Sequence, residues 1–183
     1  MYKYEKEYEK LKEILLDLVA EEQAKLGYFK GAVRLYYPLS SLNHIFNNKF
    51  DVEGMLQALQ EFSSYMQQTY GAVEISNKKE RFCFNLSEKC SEYVHNHPQE
   101  NALMFSLIQL VKGHDVTMEQ VKELFSSQEK PYVVEQVNNG DFDVLIRFTQ
   151  GEDTHYYCFK DEGCHIIYHR FLPEDYKDLY QKQ

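Results

Sequence analysis

The segment YVVEQVNNGDFDVLIRF, residues 132 to 148, constrains the fold more than any other stretch of the chain. Asn139 and Gly140 stand between two β-prone arms and supply the two positive-φ residues of a type I′ turn, so the segment is predicted to be a hairpin. Pairing Asn138 with Asp141 puts Val133, Val137, Phe142, Val144 and Ile146 on one sheet face, with Gln136, Asp143 and Arg147 on the other. Glu135 then falls on the apolar face. A carboxylate there needs a partner or access to water, and Arg147, His155 and His169 are the partners within reach of a neighbouring strand.

A second hairpin is predicted over residues 155 to 170, HYYCFKDEGCHIIYHR, and completes a four-stranded antiparallel sheet. Its three histidines and two cysteines raise the question of zinc. With Asp161, Glu162 and Gly163 as the loop, Lys160 faces Cys164, and Cys158 and Cys164 share a face. His155, His165 and His169 lie on the opposite face, with His155 and His169 as cross-strand neighbours and His165 about 13 Å along from His169. Two adjacent imidazoles are too few for a structural site, so no metal and no cofactor is expected.

Helical periodicity organises the first half. Tyr4, Tyr8, Leu11, Leu15 and Leu18 form one stripe on a long helix ending near Gly27. AVRLYYP is β-prone, LSSLNHIF is a short helix, and Asp51 caps a long third helix whose apolar residues run from Val52 to Met66. Gly71 stops it, and AVEIS and RFCFNL flank the turn NKKE as a hairpin. Helix, strand, helix, helix, strand, strand is the order of a winged helix-turn-helix. Pro98 marks a boundary, giving a winged-helix-like domain over residues 1–97 and an α+β domain over 98–183. In the second domain a helix from Glu100 to Lys112, apolar nearly all round, is expected to be buried. Thr117 and Gln120 form a capping box, and Pro173 opens a terminal helix. The predicted class is α+β, with a winged-helix-like N-terminal half followed by helices packed on a four-stranded antiparallel sheet.

Charge argues against nucleic acid. Residues 87 to 183 hold 17 acidic and 9 basic side chains, whereas residues 1 to 86 are close to neutral with 12 and 11. The exposed positions expected on the third helix, from Glu53 to Gln68, include no Lys or Arg, although phosphate contacts need cations. Lys78, Lys79 and Arg81 in the wing, diluted by Glu80, offer at most a weak nucleic-acid contact. No signal-peptide region and no apolar run approaching the roughly 20 residues of a membrane span occurs, so a cytoplasmic location is expected, with the four cysteines reduced.

Catalytic motifs are missing. His95-Asn96-His97-Pro98 matches the start of the His-x-His-Pro core of metalloproteases that remove ubiquitin-like tags. Ser106, however, comes one residue late, and Gln109 stands where a carboxylate ligand is required. No phosphate loop, nucleophile elbow or His-Glu-x-x-His pattern is present.

The segment KLGYFKGAVRLYYPLSSLNHIF, residues 25 to 46, resembles a family of cytoplasmic domain-of-unknown-function proteins from Gram-positive gut anaerobes. That resemblance implies a bacterial protein and carries no catalytic residues with it. Within the segment, Leu35, Leu39, Leu42, Ile45 and Phe46 read as core anchors. Tyr36, Tyr37, Asn43 and His44 read as local hydrogen-bonding residues or part of a contact surface. The expected function is a non-enzymatic protein-interaction or regulatory module with another protein as partner. The alternatives are a small-molecule sensor touching nucleic acid weakly through its wing, and an enzyme of unrecognised type. Glu135, Arg147, His155, Tyr157 and His169 are the expected ligand or partner surface.

Overall fold

The computed structural model of the chain describes residues 2–29, 31–98 and 101–181. Among the described residues there are seven helices and two antiparallel sheets, and the chain divides into two compact units, residues 1–100 and 101–183. The class is the predicted α+β.

In the first unit the order is α1 (Glu5–Leu26), β1 (Val33–Pro38), α2 (Leu39–Ile45), α3 (Val52–Tyr70), β2 (Val73–Lys78), β3 (Arg81–Leu86) and α4 (Glu88–Asn96). The three strands pair as β1-β3-β2, all antiparallel, which gives the unit its winged-helix-like layout. Local chemistry sets the helix ends. The Asp51 carboxylate accepts from the Gly54 N–H at 2.8 Å, and Gly71 ends α3 at φ 86, where a Cβ would come within 2.5 Å of Ser87 Oγ.

Tyr8 holds α1 against α3. Its ring is fully buried beside Phe46, Phe62 and Tyr65, and its hydroxyl donates to the Ala58 carbonyl at 2.9 Å. Burial, with the Glu61 carboxylate nearby, raises the Tyr8 phenol well above its ordinary pKa, so it stays a neutral donor.

The sheet follows a period of two. Val33, Phe82, Phe84, Leu86 and Val73 face inward and are buried, while Arg34, Tyr36, Arg81, Cys83, Asn85, Glu74, Ser76 and Lys78 alternate with them on the outer face.

The second unit runs α5 (Ala102–Val111), α6 (Met118–Ser126), β4 (Tyr132–Gln136), β5 (Val144–Phe148), β6 (Tyr156–Asp161), β7 (Ile166–Phe171) and α7 (Pro173–Tyr180). The four strands form a meander in chain order. On one face Tyr157 and Phe159 pack on Phe125 of α6; on the other, Leu145, Cys158 and Phe171 cluster with Tyr176 of α7. The capping box of Thr117 and Gln120 is formed, as the sequence predicts. All-round burial of the α5 segment is not found: Leu103, Met104, Leu107 and Ile108 are buried, but Ala102, Ser106 and Gln109 are exposed. Glu100, the expected first residue of that helix, lies outside the described residues.

Both hairpins form in other registers than their sequences predict. Gln136 pairs with Val144, so the 132–148 hairpin is shifted by one residue. Positive φ falls on Asn138 and Gly140. Asn139 instead accepts from the Asp141 and Phe142 N–H groups through its side chain, an Asx turn that widens the loop. In the second hairpin Asp161 pairs with Ile166, and the Asp161 carboxylate accepts from the Gly163 N–H at 2.8 Å. This Asx turn releases Cys164 and His165 from the strand into the loop. Each shift is an odd number of residues and therefore changes which side chains share a face.

The two-residue period in β3 has a direct test. Phe84→Ala is expected to lower unfolding free energy by about 3–5 kcal/mol, whereas Cys83→Ala beside it stays within about 0.5 kcal/mol. Urea denaturation midpoints check this. Equal effects at the two positions would contradict the assigned faces.

Candidate functional site

The outer face of the β1-β3-β2 sheet carries the candidate site. Antiparallel pairing arranges it in three cross-strand rows: Arg34, Asn85 and Glu74; then Tyr36, Cys83 and Ser76; then Pro38, Arg81 and Lys78. All of these side chains except that of buried Pro38 line an open concavity of about 650 Å³. Tyr36 is 51% exposed, unusual for an aromatic ring on a regular strand. Glu74 accepts from Asn85 Nδ2 at 2.9 Å. The surface therefore carries three cations and one carboxylate around a central tyrosine, with much of its lining apolar. It can bind through charge-assisted hydrogen bonds and ring contacts; its side chains include no paired acid and base for proton transfer.

Of the wing residues named from sequence, Lys78 and Arg81 belong to this face. Lys79 does not, because it occupies the turn at φ 54. Arg34 and Tyr36 complete it. Asn43 serves a local purpose, its amide bridging the Phe50 carbonyl and N–H. On α3 the outward residues Glu53, Gln57, Gln60, Glu61, Ser64, Gln67 and Gln68 are exposed and contain no cation.

The surface expected on the second sheet is not assembled. Glu135 is exposed on the edge strand β4 and pairs with Arg147 at 3.0 Å, because the hairpin shift brings Arg147 onto its face. His169 is on that same face, opposite Cys158. His155 and Tyr157 belong to the other face, so the five residues do not converge. His155 is not the cross-strand neighbour of His169, and Cys164 does not share the strand face of Cys158: Lys160 faces Ile167 in place of Cys164.

His155 and Tyr157 enter a polar network that sequence reading missed. Asp153 Oδ1 lies 3.0 Å from His155 Nδ1, and its other oxygen accepts from the Tyr157 hydroxyl. The Tyr157 hydroxyl also meets the guanidinium of buried Arg170, which reaches Met104 Sδ at 3.3 Å. Burial opposes ionisation of Asp153, yet the hydrogen bonds from His155 and Tyr157 outweigh it and hold the carboxyl below the ordinary carboxylate range. Burial first, then the Asp153 charge, drives the Tyr157 phenol upward. Strand pairing sets Arg170 opposite Tyr157, and the segment leading into β6 brings in Asp153 and His155, whose N–H donates to Asp153 Oδ1 at 3.0 Å.

Around Cys164, the Sγ lies 3.2 Å from His165 Nδ1, and His165 Nε2 lies 2.9 Å from Glu162. The imidazole sits between thiol and carboxylate, so the three donors do not converge on one ion. Among the described residues no group of three or more His, Cys, Asp and Glu is placed to hold a metal ion. His95 and His97 lie at the exposed end of α4, where His97 stacks on Tyr93 at a centroid distance of 4.2 Å.

Residues 8–180 match the family model described as "Domain of unknown function, E. rectale Gene description (DUF3877)". The chain belongs to this family. The match extends well beyond residues 25–46, on which the resemblance was read, and runs through both units. No curated protein and no solved structure matches the chain. Among the described residues no helix is long and apolar enough to cross a membrane.

Two measurements check the second unit. Because the Asp153 pKa is depressed on folding, its stabilisation is fully present above the unfolded value of about 3.9 and is lost as pH falls through the folded value. Asp153→Asn is therefore expected to cost about 2 kcal/mol at neutral pH, with the gap to wild type closing below about pH 4. A gap that widens in acid would contradict this.

Burial raises the Cys90 thiol to about 11 and the Cys158 thiol to about 12. Iodoacetamide is accordingly expected to modify exposed Cys164 in the native protein and to reach Cys90 and Cys158 only after unfolding. Peptide mass mapping reads the result, and native labelling of Cys158 at the rate of Cys164 would contradict it.

Proposed function

We propose that the chain is a non-enzymatic interaction module that engages a protein partner through the outer face of its winged-helix-like sheet. The observation that carries this is the placement of an exposed tyrosine among Arg34, Arg81 and Lys78 on an open strand face. The helix that would enter a DNA groove in this topology, α3, has no cation on its surface. Exposed aromatic and arginine side chains are the residue types that anchor protein interfaces, whereas a cation-free helix supplies none of the phosphate contacts that dominate nucleic-acid affinity.

A second reading, a small-molecule sensor, has one observation in its favour: the concavity is within the size range of ligand pockets. Its open form favours a macromolecular contact. A ligand that filled it would raise thermal stability by mass action.

Photo-crosslinking tests the leading reading. Benzoylphenylalanine in place of Tyr36 is expected to capture a discrete protein in the native cells, while the same group in place of Gln60 on α3 captures none. A nucleic-acid adduct at either position, or no protein specific to position 36, would overturn the proposal.

A further inference from the structure

The geometry points to an extended acidic segment of a partner protein as the occupant of the outer sheet face, an inference that rests on the contact surface proposed above. The cations stand at opposite ends of the sheet face. Arg34 lies in the first cross-strand row, and Arg81 and Lys78 lie in the third, four residues away along the strands. Strand rise separates those rows by about 13 Å. Three cations around a single small anion would have to point at one locus. Cations at the two ends of a face, with an exposed ring between them, match carboxylates spaced along an extended chain, whose alternate residues repeat about every 6.8 Å.

The chemistry at each end favours carboxylates. An arginine fork donates two parallel hydrogen bonds to a carboxylate, and Arg34 places such a fork at one end while Lys78 places an ammonium at the other. Tyr36, in the middle row with Cys83 and Ser76, offers its ring to an apolar or aromatic side chain between the acids. On the outward strand positions one carboxylate opposes three cations, and that carboxylate, Glu74, already accepts from Asn85. Glu74 stands in the row of Arg34, and Glu80 lies at the other end, in the turn beside Lys78 and Arg81.

Complementarity here is local. At physiological salt, charges beyond about 8 Å are screened, so a short acidic segment responds to this face more than to the net charge of -9. A duplex presents a continuous row of phosphates. Its phosphates outnumber the three cations of this face, and the exposed side of α3 supplies no cation.

The test uses the full chain and a fluorescein-labelled nonapeptide with glutamates at positions 1, 5 and 9, leucines at positions 3 and 7 and serines between them, so that acids and apolar side chains alternate along one face, read by fluorescence anisotropy. Binding is expected at about 10–100 μM at low salt, weakening severalfold between about 50 and 200 mM salt. Arg34→Glu and, separately, Lys78→Glu are each expected to weaken it roughly tenfold, with the circular dichroism spectrum unchanged. The same peptide with glutamine at every glutamate is expected not to bind.

Equal binding of the glutamine peptide, affinity unchanged in both charge-reversal variants, tighter binding of a 20-base-pair duplex, or no binding of the acidic peptide at about 1 mM would each overturn the inference. If the acidic peptide fails while position 36 still crosslinks to a discrete protein, the acidic specificity is wrong and the interaction surface stands. Failure of both removes both.

Discussion

The alternation of β3 is the constraint on which the candidate site depends. Phe82, Phe84 and Leu86 are all fully buried, and β3 is the central strand, hydrogen-bonded to β1 on one side and β2 on the other. Seating those three side chains in the core forces Arg81, Cys83 and Asn85 outward and fixes the rows in which Arg34, Tyr36 and Lys78 must stand. A slip of one residue would drive Arg81 and Asn85 into the core and lift two phenylalanines out of it. Desolvating an unpaired guanidinium costs several kcal/mol, so the outer face is as strongly specified as the core behind it.

The second sheet meets a similar constraint differently. Its central strands bury side chains on both faces, Tyr157 and Phe159 toward α6, and Leu145 and Cys158 toward α7. Helices therefore cover much of both sides, and the polar groups drawn inward form the line from His155 through Asp153 and Tyr157 to Arg170. There a buried cation meets a phenol whose hydrogen serves a carboxylate, so hydrogen bonds compensate the burial of each polar group. A winged-helix-like layout does not by itself assign DNA binding. In this chain the side chains on α3 and on the outer sheet face reverse the electrostatic emphasis that DNA recognition would need.

Much of this architecture was legible because local chemistry writes it. The Asp51 cap, the Thr117 and Gln120 capping box, the stop at Gly71 and the helical stripe through Tyr8 each involve residues a few positions apart. Hairpin register was not legible, since Asn139 and Asp161 use their side chains to complete turns of a different length from those their dipeptides favour. Those two carboxamide and carboxylate groups redistributed Glu135, His155 and His169 between faces and dissolved the surface expected there. The site on the first sheet was half legible. Lys78 and Arg81 stood out as a cationic turn, and Tyr36 as a residue suited to contact. What united them with Arg34 is the pairing of β1 with β3, a contact between segments nearly fifty residues apart that no local spacing records.

The central claim, that the outer face of the β1-β3-β2 sheet is where this chain meets its partner, is tested most directly by amide chemical-shift mapping of the ¹⁵N-labelled protein during titration with the acidic nonapeptide. The account predicts that the shifted resonances belong to Arg34, Tyr36, Ser76, Lys78, Arg81 and Cys83, with the α3 amides unmoved. Shifts centred on Gln57, Gln60 and Gln67 of α3, or on His155 and His169 of the second sheet, would contradict it.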